Sequence, residues 1–185
     1  LILEDRHVDL IDDNVDLSMR ITDQPPPGLV GRQLFLIEHL LCATPAYLAE
    51  HGPPRQPEDL RHHSCIYLGE TPADARWKFK QGSKTVTVGV TGRYAANHTG
   101  VRLDAVLQHI GIGSLPYFTA RQALEQGEVV QVLPAWNFIA SYHGGVWLLH
   151  TPTRYLPPKL RVFIDFLVER LAQEPTLGPK KDPRG

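Results

Sequence analysis

Three short groups of residues in this chain have the chemistry to hold a small charged molecule. Arg20 stands in Leu17-Ser-Met-Arg-Ile21, where apolar residues alternate with polar ones at strand period. It lies near a strand end, the place where ligands of α/β folds gather. A guanidinium there can grip a carboxylate through two parallel hydrogen bonds. The competing reading is a structural ion pair with a nearby acid. Ala43, Thr44 and Pro45 mark the point where an apolar run gives way to a helical pattern. Unpaired N–H groups and the helix dipole favour an anion at such a point, although every helix can use a plain N-cap there. Asn97, His98 and Thr99 repeat the arrangement before another helical pattern, and His98 adds a group that titrates near neutral pH. The competing reading for these three is a capping turn with a surface histidine.

Other chemistries find no support. The nine histidines show neither HxxxH nor HxH spacing, and no paired Cys/His pattern accompanies them, so no metal site is expected. There is no GxSxG elbow, no GxxxxGK[ST] loop and no GxGxxG fingerprint, so no catalytic residue and no cofactor is expected. Ile110-Gly-Ile-Gly113 has the look of a dinucleotide turn, but Pro116 follows and no helix opens at a third glycine. The two cysteines, Cys42 and Cys65, lie in apolar surroundings without CxxC spacing. They read as buried thiols of a reducing cytoplasm, with a redox pair as the other option. Trp77, Trp136 and Trp147 read as core or surface anchors rather than a stacking platform.

At 185 residues the chain can bury a sizeable core as one domain or two small lobes. Its formal net charge is -1 and no Lys/Arg-rich run stands out. A protein that neutralises phosphates would show a basic patch, so this chain by itself is not expected to bind nucleic acid. No apolar run reaches membrane-spanning length. No basic-then-apolar signal peptide is visible, although a truncated start would hide one.

The elements that must position these residues follow from periodicity. Leu1–Leu3 reads as the end of a buried strand; Asp5 caps a helix with Val8 and Ile11 on its apolar face; Asn14 stops it; Leu17–Ile21 is a strand. That is a βαβ-type unit. It starts in mid-strand with Leu rather than Met, so further chain upstream is expected. Pro25-Pro-Pro-Gly28 breaks it from a long extended segment, Leu29 to Ala43. A helix runs from the Thr44 cap to Gly52, and Pro57 starts a short one. Cys65–Leu68, Trp77–Lys80 and Thr85–Val88 read as strands. Leu103, Val106, Leu107 and Ile110 have helical spacing. Ile112–Leu115 is a strand stopped by Pro116; a helix to about Gln126 follows, then strands at Val129–Leu133 and Val146–Leu149. The last helix begins at Pro157-Pro158 and carries a stripe of Leu160, Phe163, Ile164, Leu167, Val168 and Leu171. Residues 175–185 lack periodicity and should form a disordered tail. Alternating strands and helices argue α/β.

Several blocks together resemble LysR-type transcriptional regulators. His7-Val-Asp-Leu-Ile-Asp-Asp-Asn-Val-Asp-Leu-Ser-Met-Arg-Ile21 is similar to their "DLvxxgxDlaiRi" block. Cys42-Ala-Thr-Pro-Ala-Tyr-Leu, with Pro57-Glu-Asp-Leu-Arg-His-His-Ser-Cys65, is similar to "AsPaYLxxxGxPxxPxDLxxHxC". Ile110–Phe118, Leu124–Trp136 and Pro158–Leu167 match three further blocks, in order across about residues 5 to 170. His109 stands where many relatives have a small residue. The resemblance implies a two-lobed type 2 periplasmic-binding-protein-like fold with a hinge of two crossing segments, near Leu40–Thr44 and Tyr142–Val146. Residues 1–41 and 146–174 would form lobe I and residues 42–145 lobe II. It implies a small-molecule effector held between the lobes, with the turn at Ala43–Pro45 at that cleft. Convergence of Arg20 with the two helix starts makes an anionic metabolite the expected ligand. DNA would be bound only through an N-terminal winged helix-turn-helix outside this sequence. The full-length protein would be a homo-oligomer, and this segment alone would associate weakly. The alternative is a periplasmic-type solute-binding protein of related fold.

Overall fold

The computed structural model describes residues 2, 10, 13, 15–140, 144–153 and 155–172. The chain divides into two compact units, Leu1–Ile37 with His143–Gly185, and Glu38–Tyr142. The expected opening strand and helix, and the expected disordered tail, lie outside the described residues.

Unit 1 is built on a three-stranded antiparallel sheet in the order β1-β10-β2, with β1 Ser18–Thr22, β2 Val30–Ile37 and β10 Gly144–His150. The central strand is the apolar one: Val146, Leu148 and Leu149 are buried. Helix α4, Pro158–Ala172, rests beside β2 and buries Ile164, while Arg32 of β2 pairs with Asp165 at 3.1 Å. The expected stripe is only partly used, because Phe163 stays 47 % exposed and Phe166, outside it, 59 %.

Unit 2 holds two sheets. The larger has the order β4-β7-β3-β8, with β3 His39–Ala43, β4 Cys65–Ile66, β7 Ile112–Pro116 and β8 Val130–Val132. β4 and β7 are parallel, and β3 runs antiparallel to both β7 and β8. Leu41, Ala43, Cys65 and Ile112 point into one core, and Leu40, Cys42, Ile66 and Leu115 into the other. Burial on both faces explains why the sequence here is a continuous apolar run instead of an alternation. The first core is closed by a second, antiparallel sheet in the order β6-β5-β9, of β5 Arg76–Gln81, β6 Lys84–Gly89 and β9 Asn137–Ile139. There Trp77 and Phe79 are buried while Lys78 and Lys80 turn outward. The second core is closed by α2, Thr99–Leu107, and α3, Tyr117–Glu125. Helix α1, Pro45–His51, buries Tyr47 in the first core; it starts at Thr44 and ends at Gly52, whose φ of 79° suits glycine.

Several expectations change. The single extended segment Leu29–Ala43 is two strands in different sheets, broken at Glu38. Residues 38–41 therefore belong to unit 2, because β3 takes its hydrogen bonds from β7 and β8; Gly144 and Gly145 belong to unit 1 as part of β10. β9 was not expected. Pro116 ends its strand as expected, as the last residue of β7, and also serves as the N-cap of α3. Cys42 and Cys65 face opposite sides of the sheet with β7 between their strands. Two strand spacings put them about 9.5 Å apart, beyond the reach of a disulfide, and both thiols are free.

Candidate functional site

The start of α2 is assembled from the end of β4. Tyr67 accepts a hydrogen bond from the backbone of Ala96 at 3.1 Å, which brings Asn97 and His98 to the end of the sheet where β4 and β7 finish. His98, rather than Asn97, is the N-cap: its Nδ1 accepts from Val101 N–H at 3.4 Å. With Nδ1 used as an acceptor, the neutral ring carries its proton on Nε2 and offers it outward. Gly100 gives this ring room, since a Cβ there would stand 3.1 Å from His98 Cε1. Thr99 Oγ1 accepts from Thr119 Oγ1 at 3.2 Å, so its own proton remains available to donate. Asn97 is exposed beside them.

One turn further lies a residue that sequence reading missed. Arg102 is only 4 % exposed, and its Nε has no hydrogen-bond partner. Burial pushes the guanidinium below its ordinary range, and Asp74 and Glu70 oppose that shift; an arginine so placed stays charged at neutral pH. Asp74 is itself buried and accepts from the backbone of Thr71 at 2.8 Å and Glu70 at 3.0 Å. A signal did exist: a basic residue in a helix's first turn works against the dipole.

Thr44 sits elsewhere. β3 pairs His39 with Pro116 and Cys42 with Gly113, so Thr44 lies beyond the end where β7 begins. The start of α2 lies at the other end, beside the first turn of α3 that follows Pro116. The two helix starts therefore do not converge, because antiparallel β3 carries its C-terminal end away from the finish of β4 and β7. Thr44 is buried at 3 % exposure and caps α1 by accepting from Tyr47 N–H at 3.2 Å; Pro45 has no N–H to offer, and Ala43 is sealed in the first core. The partner brought to Thr44 is His109, whose Nδ1 lies 2.6 Å from Thr44 Oγ1.

Arg20 belongs to unit 1. It is half-buried on β1, its Nε donates to Ser18 Oγ at 3.3 Å, and its cross-strand partner is Trp147. Trp147 Nε1 in turn donates to Thr22 O at 2.9 Å. Among the described residues no group of three or more His, Cys, Asp or Glu could hold a metal ion. No described helix is long and apolar enough to cross a membrane.

A mixed α/β unit inserted into an antiparallel one, with ligand-type donors at a helix start, defines the two-lobed periplasmic-binding-protein-like class. The chain belongs to the LysR family: residues 1–172 match the LysR substrate binding domain. It is 62 % identical over 167 residues to the probable HTH-type transcriptional regulator LtrA of Klebsiella pneumoniae, covering 90 % of this chain and 54 % of that protein. It is 33 % identical over 177 residues to the HTH-type transcriptional regulator PtxR of Pseudomonas aeruginosa, covering 95 % and 55 %. The chain thus spans about half the length of these curated relatives. Full-length AphB, a Vibrio cholerae virulence activator of the LTTR family, superposes with a TM-score of 0.78 at 26 % identity, over 91 % of this chain and 56 % of AphB. The regulatory domain of CrgA, a LysR-type transcriptional regulator from Neisseria meningitidis, gives 0.71 at 26 % identity, over 87 % and 78 %.

Proposed function

We propose that this chain is the effector-sensing part of a LysR-type transcriptional regulator and that its effector is a small carboxylate-bearing metabolite. The observation that carries this reading is the start of α2. His98 Nε2–H and the Thr99 hydroxyl are donors left over after capping, and the buried charge of Arg102 lies one turn below them. They sit where β4 and β7 finish, the end of an α/β sheet at which ligands collect. Arg20 enters the proposal on its guanidinium chemistry and its place on a strand, and it carries its own test. The domain works by binding and not by turnover. In the whole regulator a helix-turn-helix segment contacts DNA, the protein is a cytoplasmic homo-oligomer, and this segment alone associates weakly.

Calorimetric titration with a panel of small mono- and dicarboxylates tests the reading. One member should bind saturably at a site that Thr99→Val weakens about tenfold, the worth of one hydrogen bond to a charged group. Arg20→Met should weaken it about ten- to a hundredfold with near-normal melting. A large loss of melting temperature with affinity retained would assign Arg20 to structure. Affinity untouched by Thr99→Val and Arg20→Met alike would remove the proposed site.

A further inference from the structure

The opposite end of the unit 2 sheet holds a separate cavity of about 730 Å3. Arg93, His51, His62 and His109 stand in its wall against a single acid, Glu50. His51 Nδ1 donates to Tyr47 O at 3.1 Å, and His109 Nδ1 lies 2.6 Å from Thr44 Oγ1, so both rings are held through Nδ1. Ser64 also lines the cavity, and its Oγ is buried with no hydrogen-bond partner. A buried hydroxyl left unpaired costs free energy that a bound acceptor would return.

The walls are fixed by backbone. A Cβ on Gly92 would lie 1.9 Å from Cys65 O, and one on Gly111 would lie 2.1 Å from Ser64 O. The segments carrying Arg93 and His109 are thus pressed onto the start of β4 with no room to retreat. His109 itself is held at φ 59°. It follows the α2 C-cap Gln108, with His109 N–H bonded to Val106 O and Ile110 N–H to Ala105 O. That is the helix-ending motif in which glycine normally takes the left-handed place. A side chain there is strained. Strained positions of this kind cluster at ligand clamps and switch regions, although Leu133, at φ 53°, holds the same conformation in the first core.

We propose that this cavity is a second binding site, within unit 2 alone, for a small anion of the carboxylate or phosphate class. The anion sits between the Arg93 guanidinium and the His109 imidazole, it accepts the unused proton of Ser64, and the protonated form of the His51 ring adds a donor at Nε2. The site does not depend on the effector reading above, because it shares no residue with the start of α2.

Calorimetry on the chain of residues 1–185 with succinate and, separately, inorganic phosphate tests it. One of the two should bind saturably at one site; which one does so fixes the class. Arg93→Met should weaken that binding about tenfold or more. His109→Gly should weaken it similarly while melting temperature holds or rises, since glycine relieves the left-handed strain. Thr99→Val should leave it unchanged. Absence of saturable binding for both anions overturns the proposal. So does wild-type affinity in both Arg93→Met and His109→Gly, or binding abolished by Thr99→Val.

Discussion

Tyr47 concentrates several bonds on one hydroxyl. It accepts from Ser64 N–H at 3.0 Å and donates to His63 Nδ1 at 3.3 Å, while its ring stacks on His51 at 4.3 Å. Tyr47→Phe would keep the stacking but leave Ser64 N–H unpaired, so it should cost about 1–3 kcal/mol in a denaturant melt. His63 is buried beside this hydroxyl. Burial, followed by the neighbouring His51, pushes its pKa below the ordinary 6.5, with Asp59 pulling the other way and His62 adding to the fall. A depressed histidine contributes stability above 6.5 that is lost as pH falls through its folded value. Stability should therefore decline below about pH 6.5, and the decline should be shallower in His63→Gln; equal slopes in the two proteins would refute this assignment. Cys42 and Cys65 give a second pH window. Burial pushes both thiols up to about 12 from 9.0. Neither should react with a thiol reagent in the native state, and both should do so once unfolded. The stability they contribute is whole below about pH 9 and lost as pH rises toward 12. That these thiols are buried was legible in their apolar neighbours. That they face opposite sides of a sheet was not, because it depends on β7 arriving between their strands from far along the chain.

Among the elements, α2 is the one whose integrity matters most to the proposed effector site. Its first turn buries Arg102 close to Asp74, which also ties down the backbone before β5. Removing one charge leaves the other uncompensated, and Asp74→Ala should cost about 3–5 kcal/mol. Adding Arg102→Met to it should recover part of that loss; a double variant as unstable as the sum of the two singles would show that the charges do not interact. Elements with local punctuation could be read directly from the sequence. The Thr44 cap and Gly52 bound α1, and the Trp77/Phe79 alternation marks β5. β9 could not be read, since Asn137–Ile139 is three residues long and becomes a strand only by pairing with β5. The break at Glu38 was hidden for a similar reason: β2 and β3 are both extended, and only their partners distinguish them. For the site, Asn97–Thr99 could be found from cap chemistry, whereas the separation of Thr44 from them follows from strand direction, which a single sequence does not encode locally.

At the scale of the molecule, both hydrophobic cores of unit 2 are made of residues between Leu40 and Phe138. A fragment of residues 38–142 should therefore fold by itself and melt cooperatively, as circular dichroism would show; a broad, non-cooperative melt would mean that it needs the rest of the chain. The whole segment of residues 1–185, at net charge -1, should show no sequence-dependent binding to its own promoter by fluorescence anisotropy. The points where the chain leaves unit 1 and returns to it are Ile37 and Gly144, which are cross-strand partners in the β2–β10 ladder. Paired residues of this kind lie about 5 Å apart, the span that an ordinary hairpin turn closes. Unit 2 is in this sense a cassette spliced into the tip of a β-hairpin. The two unit 1 ends already meet, so exchanging the cassette would sever no core of the host sheet. A lineage could change what unit 2 recognises by wholesale exchange, leaving unit 1 untouched.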